Sequence, residues 1–388
     1  MTHKLKLLSL SVSLSLAAIS LGTMKQAQSQ TSASAASVAN VYISYGATSS
    51  YNEVDAFSVS NEGRLTRVAG SPFNANLTSM ATNGKELFGS TTNGIYIDSY
   101  KIESDGALQF VKSTDVVKDN PGNCGDSGPL FFDRTGATLY DVEQYGDCAN
   151  TFNASFAVTN SGSSLKSLGS STGDAWLEYP ARFIGNNVYA YTASCLNDMY
   201  WEIFAFKRSS NGMLTQINVN SPLPTPDSGD LYCPSLTATD AANHVVFSVQ
   251  AVNDEDFSPV GEPQLATYSA DGSGNLTTKS TRANMAKTAV VNVNDLSISP
   301  SGKLLAVAGT GGLQIFHFNG ASPITSYTGL LTKDGVDQLA WDNSDHLYAL
   351  SMAAGKLRVY TVTPTSYKEP AGSPYAITNP QNIAVQPK

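Results

Sequence analysis

The sequence predicts an all-β fold, a seven-bladed β-propeller of four-stranded antiparallel blades, and three observations carry that prediction. An aromatic residue and a glycine separated by five positions recur at Phe57/Gly63, Tyr100/Gly106, Phe156/Gly162, Phe206/Gly212 and Tyr268/Gly274. In four of these copies a leucine stands two places beyond the glycine, at Leu65, Leu108, Leu214 and Leu276. The copies lie roughly 43 to 62 residues apart, the spacing of one propeller blade. The third observation is that the two ends complement each other. Asn382-Ile383-Ala384-Val385 has the character of an innermost strand with no blade after it, whereas Val41-Tyr42-Ile43-Ser44-Tyr45 reads as a second strand with no first strand before it. Pairing these ends in one blade ties the ring shut and removes an open edge.

The elements follow in chain order. Lys4 and Lys6 precede an apolar run from Leu7 to Leu21, and Ala27-Gln28-Ser29 supplies small residues for a peptidase. Residues 1–29 are therefore predicted to be a secretory signal peptide, with Ala33-Ser34-Ala35 a second cleavage possibility. The apolar run falls short of the roughly 20 residues a membrane span needs, so no integral membrane segment is expected after cleavage. Residues 30–39, rich in Ser, Ala, Gln and Thr, read as a flexible linker, and 40–388 as the propeller. Removing residues 1–29, which carry three lysines and no acids, moves the formal charge from −9 to −12. Such an acidic surface excludes nucleic acid as a partner. A secreted or periplasmic monomer is expected.

Innermost strands are predicted to begin near Thr78, Leu130, Arg182, Leu236, Leu296, Leu339 and Ile383. Tight polar turns follow several of them: Asp133-Arg134-Thr135-Gly136, Ser299-Pro300-Ser301-Gly302-Lys303 and Asp342-Asn343-Ser344-Asp345. These are hairpin signals between alternating apolar positions. Four cysteines without a CxxC spacing in an exported chain read as two disulfides rather than a zinc site. Three connectivities exist. The blade register brings Cys124 close to Cys148 and Cys195 close to Cys233, and those are the predicted bonds.

At this point the chain resembles the lactonase-type, 6-phosphogluconolactonase-like propellers with YVTN repeats. The residues carrying the resemblance are Gly63-Arg64-Leu65-Thr66, Gly70-Ser71-Pro72-Phe73 with its echo Gly372-Ser373-Pro374-Tyr375, and Ser299-Pro300-Ser301-Gly302-Lys303-Leu304. They are turn and packing residues, and the Tyr-Val-Xaa-Asn strand itself is degraded. The resemblance implies the fold and, where the family is active, polar His, Arg and Glu side chains around the upper channel.

This chain has few such groups. His244 and His346 fall in or beside the turns on the lower rim and His317 late in a third strand, away from the channel mouth. No GxSxG, HExxH or P-loop is present. Arg182, opening an innermost strand, is the residue placed to hold an anionic ligand, with Glu178 or Glu143 as candidate water-activating acids. The upper loops of blades three to five gather acids and aromatics, among them Trp176, Tyr179, Asp198, Tyr200, Trp201, Asp230 and Tyr232. Carboxylates beside aromatic faces suit a sugar or a cation, and loops on a rigid ring are where binding residues concentrate. Asp254 and Asp256 are the residues a Ca²⁺ ion would use, although no DxDxDG spacing occurs and no cofactor is expected. Two readings result. The leading one is an exported binding or interaction module taking a small molecule, glycan or protein on its acidic upper rim. The alternative is a carboxylic ester hydrolase opening a sugar lactone.

Overall fold

The structure is a computed structural model that describes residues 37–48, 51–116, 127–142, 151–159, 164–172, 180–196 and 200–388. Seven antiparallel sheets, each with a path of four strands, form the seven blades. In blades 2 to 7 the chain runs outward from the innermost strand. Those innermost strands are Leu77–Thr82, Leu130–Phe132, Arg182–Phe183, Asp230–Thr239, Val293–Ile298 and Gln338–Trp341. Blade 1 is built from both ends, as the sequence predicts. Ala39–Thr48, Tyr51–Val59 and Leu65–Arg67 supply three strands, and Pro380–Pro387 is the fourth and innermost. Val41 pairs with Val385, Tyr42 with Ala384 and Ile43 with Ile383.

The apolar core is not one mass but seven wedges, each between consecutive blades. Period-two alternation explains this, because successive strand residues face opposite sides of a sheet. In the second strand of blade 6, Leu304, Ala306 and Ala308 pack toward blade 7, while Leu305 and Val307 pack toward blade 5. Both faces are covered, so the strand Leu304–Gly309 is buried along its whole length. Blade 7 repeats the pattern: Leu347 and Ala349 face blade 6, and Tyr348 and Leu350 face blade 1.

The recurrent glycine has a physical cause at the seams. Tyr42, Tyr140 and Tyr191, each in a second strand, donate their hydroxyls to the carbonyls of Gly106, Gly212 and Gly274 in the following blade, at 3.1, 2.7 and 2.8 Å. Gly106 and Gly212 sit at φ +92° and +102°, a region that a side chain disfavours. A Cβ there would also stand 2.8 Å from Asn40 Oδ1 and 2.6 Å from Thr138 Oγ1 of the preceding blade. The turn glycine is thus the surface on which the previous blade seats. The Gly-Ser-Pro echo is likewise structural, since Ser71 and Ser373 accept hydrogen bonds from the backbone N–H groups of Ala56 and Val359.

Candidate functional site

The central channel is bounded by the innermost strands, and side chains there tie each blade to the next. Asp295 Oδ2 of blade 6 accepts the N–H of Leu339 in blade 7 at 2.7 Å. Gln338 Oε1 accepts from Ile383 of blade 1 at 2.9 Å, and Asn382 Oδ1 accepts from Met80 of blade 2 at 2.9 Å. Ser79 Oγ then accepts from Leu130 of blade 3 at 3.1 Å. Gln338, Asn382 and Ser79 each immediately precede the apolar residue that donates from their own blade. In blades 3 and 4 that place is held by Pro129 and Pro180, which carry no side-chain acceptor. The collar therefore covers four consecutive junctions and stops at the two prolines.

Arg182 lies just beyond the break. It makes no hydrogen bond or ion pair among the described residues, and it lines a cavity of about 310 Å³. Phe131, Phe183, Thr82 and Thr239 share the lining with Arg134, whose guanidinium is held by the carbonyls of Phe183 and Asp240. The carboxylate within electrostatic reach of Arg182 is Asp295, two blades away. Burial pushes the Asp295 carboxyl up to about 6, while the Arg182 guanidinium and the N–H groups of Leu339 and Leu296 pull it back. Asp295 does not itself line that cavity; a carboxylate titrating near neutrality within electrostatic reach of a cation is nonetheless equipped to move a proton.

The acids expected to partner Arg182, Glu143 and Glu178, lie outside the described residues, as do Trp176, Tyr179, Asp198, Cys124 and Cys148. Tyr200 and Trp201 begin the third strand of blade 4, opposite Leu196 and Cys195, and only their backbone is described. Cys195 and Cys233 are bonded, with Cα atoms 5.2 Å apart. Both lie within strands rather than in the flanking loops, because the innermost strand of blade 5 begins at Asp230 and absorbs a bulge between Pro234 and Thr237. That early start also moves Asp230 and Tyr232 off the loop where the sequence put them. Asp230 Oδ2 takes Arg282 Nη1 at 2.9 Å, and Asp227 takes Arg282 Nε at 3.0 Å. Tyr232 is buried in the wedge between blades 4 and 5, its hydroxyl 3.2 Å from Gln264 Oε1. Asp254 and Asp256 lie in a turn where the Ser258 hydroxyl and, next, its N–H hold the Asp256 carboxyl below the usual range. Among the described residues no group of three or more His, Cys, Asp or Glu side chains converges to hold a metal.

His244 and His346 open second strands and bond Asp240 and Asp342 through Nδ1 at 2.6 and 2.7 Å. His317 closes a third strand and stacks on Tyr327. A second buried carboxylate, Asp141, belongs to blade 3 and is 0 % exposed. It accepts the N–H of Gly128 at 2.9 Å, its Oδ2 has no hydrogen-bond partner among the described residues, and burial pushes its carboxyl up to about 7.

Sequence reasoning found Arg182 but missed Asp295. A signal for it existed: Asp295-Leu296, Gln338-Leu339 and Asn382-Ile383 place a polar residue directly before each innermost apolar position.

No protein-family model matches the sequence, and no curated protein matches it. Solved structures do. The periplasmic gluconolactonase of Pseudomonas aeruginosa is similar over 89% of this chain and 98% of its own, at 14% identity and TM-score 0.61. A 6-phosphogluconolactonase-like protein of Bacteroides fragilis is similar over 89% and 97%, at 12% identity and TM-score 0.58. A protein of Lactobacillus plantarum is similar over 90% and 99%, at 13% identity and TM-score 0.61. Identities this low establish the fold alone, a seven-bladed β-propeller shared with these lactonase-like structures.

Proposed function

We propose that this chain is an exported hydrolase that opens a small lactone, a sugar lactone being the substrate class, in the central channel. The observation that carries the reading is Arg182, without an ion-pair partner among the described residues, within electrostatic reach of the partly buried Asp295 carboxylate. In this scheme Asp295 takes a proton from water as its oxygen bonds the lactone carbonyl carbon. The negative charge that develops on the carbonyl oxygen is stabilised by Arg182. Collapse breaks the ring C–O bond, and the leaving oxygen takes a proton to give the hydroxy acid. A cavity of about 310 Å³ suits a ligand of monosaccharide size, at the small end of the usual pocket range. Two of the fold neighbours are named for lactonase activity, and one of them is periplasmic. The Cys195–Cys233 bond fits an oxidising compartment and so supports export through the N-terminal signal.

The test is hydrolysis of a gluconolactone by purified protein, corrected for spontaneous opening. Asp295→Asn keeps an oxygen for the Leu339 N–H yet removes the base, and should lower kcat by about 10²-fold or more. Arg182→Ala should lower kcat/KM by a similar factor of roughly 10²-fold. Wild-type rates in both variants would end the reading.

One observation favours the binding-module reading in part. The Cys195–Cys233 bond and the Arg282 clamp on Asp227 and Asp230 brace the upper side of blades 4 and 5. Glycan binding that survives Asp295→Asn and is lost in Trp201→Ala would support that rim as the working surface.

A further inference from the structure

The lower face carries an open cavity of about 750 Å³ away from the channel. Its walls come from the first turn of blade 2 (Lys85, Glu86), the end of that blade's third strand (Lys101, Glu103) and the end of the closing strand (Gln386, Lys388). Gln386 is already engaged, accepting from Asn40 at 2.6 Å and donating to the Gly84 carbonyl at 2.8 Å. Lys101 is held by Glu103 at 2.9 Å.

Three groups are left over. Glu86 is only 6 % exposed, its Oε2 has no hydrogen-bond partner, and no Lys or Arg of the described residues lies within ion-pair distance of it. Lys85 makes no ion pair among the described residues, and Lys388 Nζ has only a 3.5 Å contact with the Ser104 carbonyl. A buried acceptor without a donor is destabilising, and a ligand that brings a donor removes that penalty. Two uncommitted ammonium groups at the rim attract an anion. With Lys101 paired to Glu103, the free ammonium groups of Lys85 and Lys388 outnumber the one unpaired carboxylate, Glu86, and the rim favours an anion over a ligand ammonium.

We infer that this cavity is a second ligand site, separate from the channel, for a small hydroxy acid. Its carboxylate pairs with Lys85 and Lys388, and a hydroxyl donates to Glu86. The inference does not rest on hydrolysis in the channel.

Calorimetric titration of the full chain with gluconate tests it, with glycine and sulfate as comparison probes. The expected result is saturable gluconate binding that Lys85→Glu weakens at least tenfold and Arg182→Ala leaves unchanged. Lys85 is exposed, so its reversal leaves the fold intact; Glu86→Met, which removes the acceptor, should weaken binding as well. The proposal fails if gluconate does not bind saturably, if Arg182→Ala abolishes binding while Lys85→Glu does not, or if sulfate or glycine binds as tightly.

Discussion

The two halves of the ring treat the polar residues of their innermost strands differently. From blade 6 through blade 1 to blade 3, Asp295, Gln338, Asn382 and Ser79 each satisfy a backbone N–H of the next blade. Across blades 3 and 4 the same place is proline, and what remains among the described residues is Arg182 without an ion pair and Asp141 with an oxygen lacking a partner. The difference teaches where to look for chemistry in a ring of near-identical parts. Most groups that close the structure are already bonded, so the uncommitted cation stands where closure is left to other means, and the collar residue within its electrostatic reach is Asp295. Here those means include a covalent bond, between Cys195 and Cys233.

That contrast can be broken or sharpened by experiment. The largest stability effect is expected from the disulfide. Closing a loop of 38 residues contributes about 4 kcal/mol on the chain-entropy estimate. Cys195→Ala with Cys233→Ala should therefore lower the urea midpoint more than any single collar substitution. If it does not, the weakly tied half is held by something else.

Asp141 comes next. Its folded-state carboxyl is raised to about 7, above its ordinary 3.8. Between those values the folded chain holds a proton that the unfolded chain has lost, so stability falls as pH climbs through that window. Asp141→Asn mimics the neutral acid. It should flatten the slope and stabilise the protein at pH 8 by about 2 to 4 kcal/mol; an unchanged slope would mean the group is not held neutral.

Collar substitutions should be smaller. Asn382→Ala leaves the Met80 N–H without its acceptor and should cost about 1–3 kcal/mol. Pro180→Ala, at the equivalent place outside the collar, removes no such bond, and a matching loss there would erase the distinction between the halves. The smallest pair is at the seams. Tyr140→Phe loses the bond to the Gly212 carbonyl and should cost about 1 kcal/mol. Tyr268→Phe should cost nothing, because the Tyr268 hydroxyl is buried with no partner among the described residues.

Much of the fold was legible because its signals are local. The aromatic–glycine spacing marks the turn onto which a neighbouring blade packs, and alternation over Leu304–Gly309 marks a strand covered on both faces. The closure of the ring could be read from one strand lacking a successor and another lacking a predecessor. The site was legible only in part. Arg182 stood out as a cation in an apolar strand, but Asp295 feels its charge from two blades away, a pairing that no local pattern encodes. Tyr232 looked like a rim aromatic because the bulge between Pro234 and Thr237, which lengthens its strand, has no glycine to announce it. Asp141 was hidden for the opposite reason: its neighbours Leu139, Tyr140 and Val142 describe an ordinary buried strand.

The account depends on Asp295 acting as a base in reach of Arg182. The most direct measurement is the pH dependence of kcat/KM for lactone opening by the wild type and by Asp295→Asn. Since Asp295 must be ionised to accept a proton, the wild-type rate should rise through an acid limb centred near its carboxyl value of about 6 and then level off. In Asp295→Asn that limb should vanish along with most of the rate. A variant that keeps both the limb and the rate would contradict the assignment.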